Sequence, residues 1–357
     1  MKIAETVIYL ASCAVNGTKP ETAKIAGMDL DLLFSFASYH MLSAVVAMAL
    51  ERAGCKDGRL KNAISFSVRK ATFFEAANHS VLKSLNEAGI WYMPLKGAVL
   101  KNYYPRFGMR EMSDYDILFD VARADDVRRI MKGLGFTVEI FGTGNHDVYY
   151  KKPLCNFEMH RELFSVAFDE RIYDYYADVK SRLIKDEGDN SGNHFSPEDF
   201  YVYMTAHEYK HYSAGGTGLR SLLDMYVFLK HFEGMLDFDY ISEEIKKLGI
   251  SYFEKTNRSL AVNLFGCHEL MEDDREMFKY ILNSGAYGTL ENSVSNKVKR
   301  FGGGTMAKMK FMLLRIFPPI YHSYLLYPFL IIYRLIKALT WRWRETLQEV
   351  KILFRSK

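Results

Sequence analysis

Four cysteines in 357 residues, Cys13, Cys55, Cys155 and Cys267, stand far apart and form no CxxC pair. That sparseness excludes a disulfide scaffold and a cysteine zinc site, and it suits a reducing cytoplasm. The start of the chain, MKIAETVIYLASCAVNG, has one early lysine and an apolar run that Glu5 interrupts. It reads as an amphipathic helix rather than a secretory signal. No internal repeat or long low-complexity tract occurs, and no uncharged run is long enough to span a bilayer comfortably. Disorder is excluded by 49% hydrophobic and 15% aromatic residues, so the bulk of the chain folds.

Charge is unevenly spread. From Lys297 onward there are thirteen Lys/Arg against Glu345 and Glu349, whereas the whole chain is only +4, so the preceding residues are net acidic. Up to about Gly89, apolar residues recur at three and four positions, as in Leu42, Val45, Val46 and Leu50, which predicts helices. The pattern then shifts to short apolar runs: Ile90–Met93, Tyr115–Phe119, Phe136–Ile140, Val148–Tyr150 and Leu154–Met159. These read as strands of one sheet, with helices over Lys96–Tyr103 and Ala122–Leu134. Beyond Ser196, a capping serine with Pro197 in the first turn starts a second helical region. The expected organisation is a helical region at 1–89, an α/β core at 90–165, a helical domain at 166–296 and a basic amphipathic tail at 297–357.

The most informative stretch is Leu95-Lys96-Gly97-Ala98 followed by Arg110-Glu111-Met112-Ser113-Asp114-Tyr115-Asp116. On a strand, Asp114 and Asp116 share a face, with Tyr115 and Ile117 on the other. Two converging carboxylates repel unless a cation lies between them, and hard oxygen ligands suit Mg²⁺ (or Mn²⁺), which takes substrate phosphates into its shell. A third carboxylate completes a two-metal site, and Glu158 on a later strand offers one, with His160 on the same face. His160 reads either as a group orienting a carboxylate or phosphate, or as a satisfied core histidine.

A strand, then Leu95-Lys96-Gly97 opening a helix, then Asp114-Tyr115-Asp116 on the next strand resembles the nucleotidyltransferases of the DNA polymerase β superfamily. Within it, the chain is most similar to a bacterial group of uncharacterised nucleotidyltransferases with a Leu-Lys-Gly start, an Arg before Asp-x-Asp, and a later acidic-x-His strand. The likeness covers Trp91–Phe164 well and His207–Tyr226 more loosely. It departs from the superfamily in having Gly97-Ala98 rather than Gly-Ser or Gly-Gly, in the fifteen residues between Ala98 and Asp114, and in Glu158 where Asp is commoner. The resemblance implies an α+β fold, a polymerase β-like α/β core flanked by helical regions. It also implies transfer of a nucleoside monophosphate from an NTP to a hydroxyl-bearing acceptor, releasing pyrophosphate. Asp114, Asp116 and Glu158 would hold the metals. Lys96, Gly97, Ala98 and Arg110 would bind the nucleotide, the amides after Lys96 meeting the triphosphate at a helix N-terminus. The acceptor could be a sugar, a small molecule, a protein side chain or an RNA end.

Two features compete. His207-Glu208-x-x-His211 matches a zinc-peptidase motif, although Ala214 and Thr217 stand where its extended form needs Gly and His. Otherwise His207, Lys210 and His211 are substrate contacts or packing residues, and Arg220 and Asp224 are spaced for a helical ion pair. In the tail, Tyr324–Tyr333 and Trp341-Arg342-Trp343-Arg344 suit a helix lying on an anionic membrane surface through residues 305–357, peripheral to the inner face. Packing on the helical domain, dimerisation or nucleic-acid binding would use the same residues. A catalytically silent nucleotide-binding or membrane-surface-binding protein is the alternative to the enzyme.

Overall fold

A computed structural model describes residues 2–300; the tail at 305–357, with its proposed membrane role, lies outside the described residues. The described residues fall into two compact units, one of residues up to Tyr209 with Leu219–Lys279, the other of Lys210–Gly218 with the residues from Tyr280 onward.

The first unit opens with helices α1 (Lys2–Asn16), α2 (Thr22–Ile25), α3 (Leu30–Tyr39), α4 (Ser43–Arg52) and α5 (Gly58–Glu87). Helix α5 starts where the Asp57 carboxylate accepts from the Arg59 amide at 2.9 Å, and Gly89, at φ +62°, turns the chain just past its end. Its buried residues Leu60, Ile64, Ser67, Phe74, Ala77, Val81 and Leu85 fall at helical spacing, which defines one inward face.

The sheet contains β1 (Tyr92–Pro94), β2 (Tyr115–Phe119), β3 (Thr137–Ile140), β4 (His146–Lys151) and β5 (Cys155–His160) in the order β1-β2-β5-β4-β3. Between them lie α6 (Gly97–Leu100) and α7 (Ala124–Gly133). Only β2 and β5 run parallel, with Asp116 opposite Glu158 and Leu118 opposite His160. The other pairs are antiparallel.

Strand alternation sorts this sheet into an apolar and a polar face. Tyr115, Ile117, Phe119, Phe157, Met159 and Tyr149 join one buried cluster with Phe74, Val81 and Leu85 of α5 and Val127 and Met131 of α7. Tyr115 and Phe157 stack at 5.2 Å between ring centroids. The alternate positions Asp116, Glu158 and His160 therefore project from the face that α5 and α7 do not cover.

After the sheet come α8 (Glu170–Tyr175), the two-stranded β6 (Ile184–Lys185) and β7 (Asn193–His194), and α9 (Pro197–Ala214), α10 (Leu219–His231), α11 (Phe238–Leu248) and α12 (Ser251–Gly266). Helix α1 reaches this later region directly: Ser12 Oγ donates to the Phe265 carbonyl at 2.7 Å and Asn16 Nδ2 to the same oxygen at 3.0 Å. Helices α1 and α12, far apart in sequence, thus pack together. The chain continues through α13 (Glu272–Ser284) and α14 (Leu290–Arg300). In the second unit, Tyr280 donates to the Tyr212 carbonyl at 3.0 Å, and the Asn296 amide to the Tyr280 hydroxyl at 2.7 Å. No described helix is long and apolar enough to cross a membrane.

Candidate active site

Asp116 is the centre of the polar face. It is 3% exposed, and its Oδ1 lies 2.8 Å from both Lys96 Nζ and His160 Nε2. Burial alone would raise its pKa, but the Lys96 charge and the His160 hydrogen bond outweigh burial and hold the carboxyl well below the usual range. Burial and the Lys96 charge push His160 down to about 4, so the ring is neutral near pH 7. A neutral imidazole facing a carboxylate at this distance carries its proton on the facing nitrogen, so Nε2 donates to Asp116.

Asp114 lies one residue before β2 rather than on it, and burial and the Asp116 charge raise its pKa. Glu158, opposite Asp116 on the neighbouring strand, is pushed up to about 7 by burial and by the charges of Asp116 and Asp114. Lys96 and His160 thus hold Asp116 low, while burial and the Asp116 charge raise Asp114 and Glu158.

The loop before the pair is built around Lys96, at φ +44° and ψ −117°, a conformation that L residues rarely adopt. The Leu95 amide donates to the Asp116 carbonyl at 3.0 Å, which anchors the loop to β2 as Lys96 reaches the carboxylate. Helix α6 is a single turn continued by a 3-10 turn at Lys101–Tyr103, so it brings little dipole to a phosphate. The Ala98 amide donates to the Leu95 carbonyl at 3.0 Å. The helix expected over Lys96–Tyr103 is thus present as one α turn and one 3-10 turn.

Arg110 is buried. Its Nε and Nη2 donate to the two oxygens of Asp224, each at 2.8 Å, and Tyr104 donates to Asp224 Oδ1 at 2.7 Å. A Cβ on Gly97 would stand 2.4 Å from Arg110 Nη1. The glycine thus makes room for a guanidinium clamped to α10. The expected Arg220–Asp224 pair is replaced by this one, and Arg220 instead donates to the Glu111 carbonyl at 3.2 Å. Glu111 in turn accepts from the Ala44 amide at 2.8 Å at the start of α4.

His207 lies on α9, its ring 6.1 Å from that of Tyr203, and Lys210 and His211 belong to the second unit. Glu208, which peptidase chemistry needs beside a metal-bound water, is buried, accepts from Asn257 Nδ2 at 2.9 Å, and is raised by burial to about 7. Sequence reasoning passed over two nearby groups. Lys70 of α5, its pKa lowered by burial, feels the charges of Asp114 and Glu111. His146 of β4 stands opposite His160 and 3.7 Å from Glu158 Oε2. No local signal marked His146, because its meeting with Glu158 and His160 depends on the register between β4 and β5.

A family model described as uncharacterised nucleotidyltransferase matches residues 26–266, a span that holds the whole sheet, the loop at Lys96 and helices α9 to α12. The chain belongs to that family, and membership supports nucleotidyl transfer as its general activity. No curated protein and no solved structure matches the chain.

Proposed function

We propose that the chain moves a nucleoside monophosphate from an NTP to a hydroxyl-bearing acceptor and releases pyrophosphate. The observation that carries this reading is the register that sets Asp116 beside Glu158 on parallel strands, with Asp114 just ahead of them, on the sheet face opposite α5 and α7. Family membership agrees with it.

The donor set fits a divalent cation, because burial and neighbouring carboxylates raise the pKa of Asp114 and Glu158 and a cation offsets both. Asp114, Asp116 and Glu158 would hold Mg²⁺ or Mn²⁺, which when bound would supply charge for the phosphates and lower the pKa of an acceptor hydroxyl. Lys96 neutralises Asp116 and adds a positive charge beside the carboxylates, which favours an incoming phosphate. His160 fixes the Asp116 carboxylate from the other side, and Glu158, poised near neutral pH, accepts the acceptor's proton. Arg110 acts at one remove, locking the loop at Gly97 against Asp224 rather than touching phosphate.

Thermal-shift titration of the four common NTPs with Mg²⁺ or Mn²⁺, on the wild type and on D114A/D116A, tests this. A metal-dependent rise in Tm that the double variant loses, with its nucleotide-free Tm reported alongside, supports the transferase and names the donor. No rise with any NTP at millimolar concentration overturns it in favour of a silent member of the family.

A further inference from the structure

We propose that His146, Glu158 and His160 bind a first-row transition-metal dication such as Mn²⁺, Co²⁺ or Zn²⁺, beside the Asp114 and Asp116 pair and in preference to Mg²⁺. Ligand atoms of these three side chains all lie within 4.8 Å of one another. Register brings them together, because His146 on β4 is the cross-strand partner of His160 on β5, and Glu158 stands two residues away on the same face. Both Nε2 atoms lie 3.7 Å from Glu158 Oε2.

A further observation points to a ligand: His160 is 3% exposed, and its Nδ1 is buried without a hydrogen-bond partner. Its Nε2 donates to Asp116; when a metal takes that nitrogen, the proton either moves to Nδ1 or leaves to solvent.

Imidazole nitrogen separates this site from the carboxylates beside it. Mg²⁺ wants oxygen ligands in a strict octahedron, whereas two imidazoles and one carboxylate suit the later first-row ions. The inference rests on reading this sheet face as a metal site, and its test does not require turnover.

The experiment is titration of the full chain with Co²⁺, followed by visible absorption in the presence of excess Mg²⁺. One equivalent should give intensified d–d bands that Mg²⁺ leaves in place and Zn²⁺ displaces. H146A, which removes a direct ligand, should weaken Co²⁺ binding by more than the roughly 10–100-fold lost when a group behind a ligand is altered, and D114A should retain the bands. Because H146A could disturb folding, Mn²⁺ bound to the wild type is read by electron spin-echo spectroscopy, where imidazole ¹⁴N modulation is expected. An aquo-ion spectrum with no nitrogen modulation overturns the site, as does Co²⁺ binding by folded H146A as tight as in the wild type. The Mg²⁺-NTP thermal shift is measured in the same samples. A normal nucleotide response without cobalt ligation rejects this site alone, and loss of both rejects the metal reading of the whole face.

Discussion

Arg110 Nη1 occupies the space that any side chain at position 97 would need, 2.4 Å from the Cβ that Gly97 lacks. The loop at Lys96 and Gly97 is therefore held by an ion pair to α10 that the sequence conceals. In G97A the guanidinium must shift off Asp224. The expected loss is about 1–3 kcal/mol of unfolding free energy, the range for overfilling a packed site, measured by urea denaturation. A variant as stable as the wild type would refute this packing role.

Asp116 neutralises Lys96 and accepts a hydrogen bond from His160. Asp116→Asn keeps the shape and removes the charge, leaving the Lys96 ammonium largely buried without its partner. The cost is expected to be about 2–4 kcal/mol, in line with breaking a buried pair from one side, read from urea melts without metal. The same variant should lose the Mg²⁺-NTP thermal shift.

Glu158 sets a pH window. Its carboxyl is at about 7 in the folded chain against 4.5 for the ordinary group, so its contribution to stability is full below about pH 4.5 and is lost as pH rises through 7. His160, lowered to about 4, works oppositely, with stability lost as pH falls from 6.5 through 4. Comparing the wild type with E158Q largely cancels the histidine. The variant should gain up to about 2 kcal/mol relative to the wild type between pH 5 and pH 8, once solvent screening of a partly exposed carboxyl is allowed for. Added Mg²⁺ or Mn²⁺ should narrow that gap at pH 8 by stabilising the wild type.

Glu208 offers a separate check on the zinc motif. E208Q keeps the hydrogen-bonding shape toward Asn257, so the nucleotide-induced Tm shift should be unchanged and purified protein should carry no stoichiometric zinc at His207 by elemental analysis. Zinc that is lost on substituting His207 would restore the peptidase reading.

The strands and the acidic pair were legible in the sequence because alternation is local: Tyr115, Ile117 and Phe119 had to face a core, which placed Asp116 opposite them. Strand edges were less visible, so Asp114 was put on β2 when it precedes it. Nothing local revealed that Arg110 would choose Asp224, 114 positions away, over a nearer carboxylate, nor that Asp224 would turn from Arg220. The spacing of Arg220 and Asp224 permitted a pair; tertiary packing, with Tyr104 as a third partner, decided otherwise. His146 was hidden for a similar reason, since a strand's partner across a hairpin depends on a register that composition does not specify.

Strands β3 and β4 form a hairpin at the outer edge of the sheet, with exposed residues at 142–144 in its turn, while β2 and β5 meet as neighbours inside. Related chains could lengthen or rebuild that turn without moving Asp116 relative to Glu158. The hairpin is then a place where evolution can retune what approaches the carboxylates, by altering the ligand at position 146 or the overhang beside it, while the chemistry beneath stays fixed.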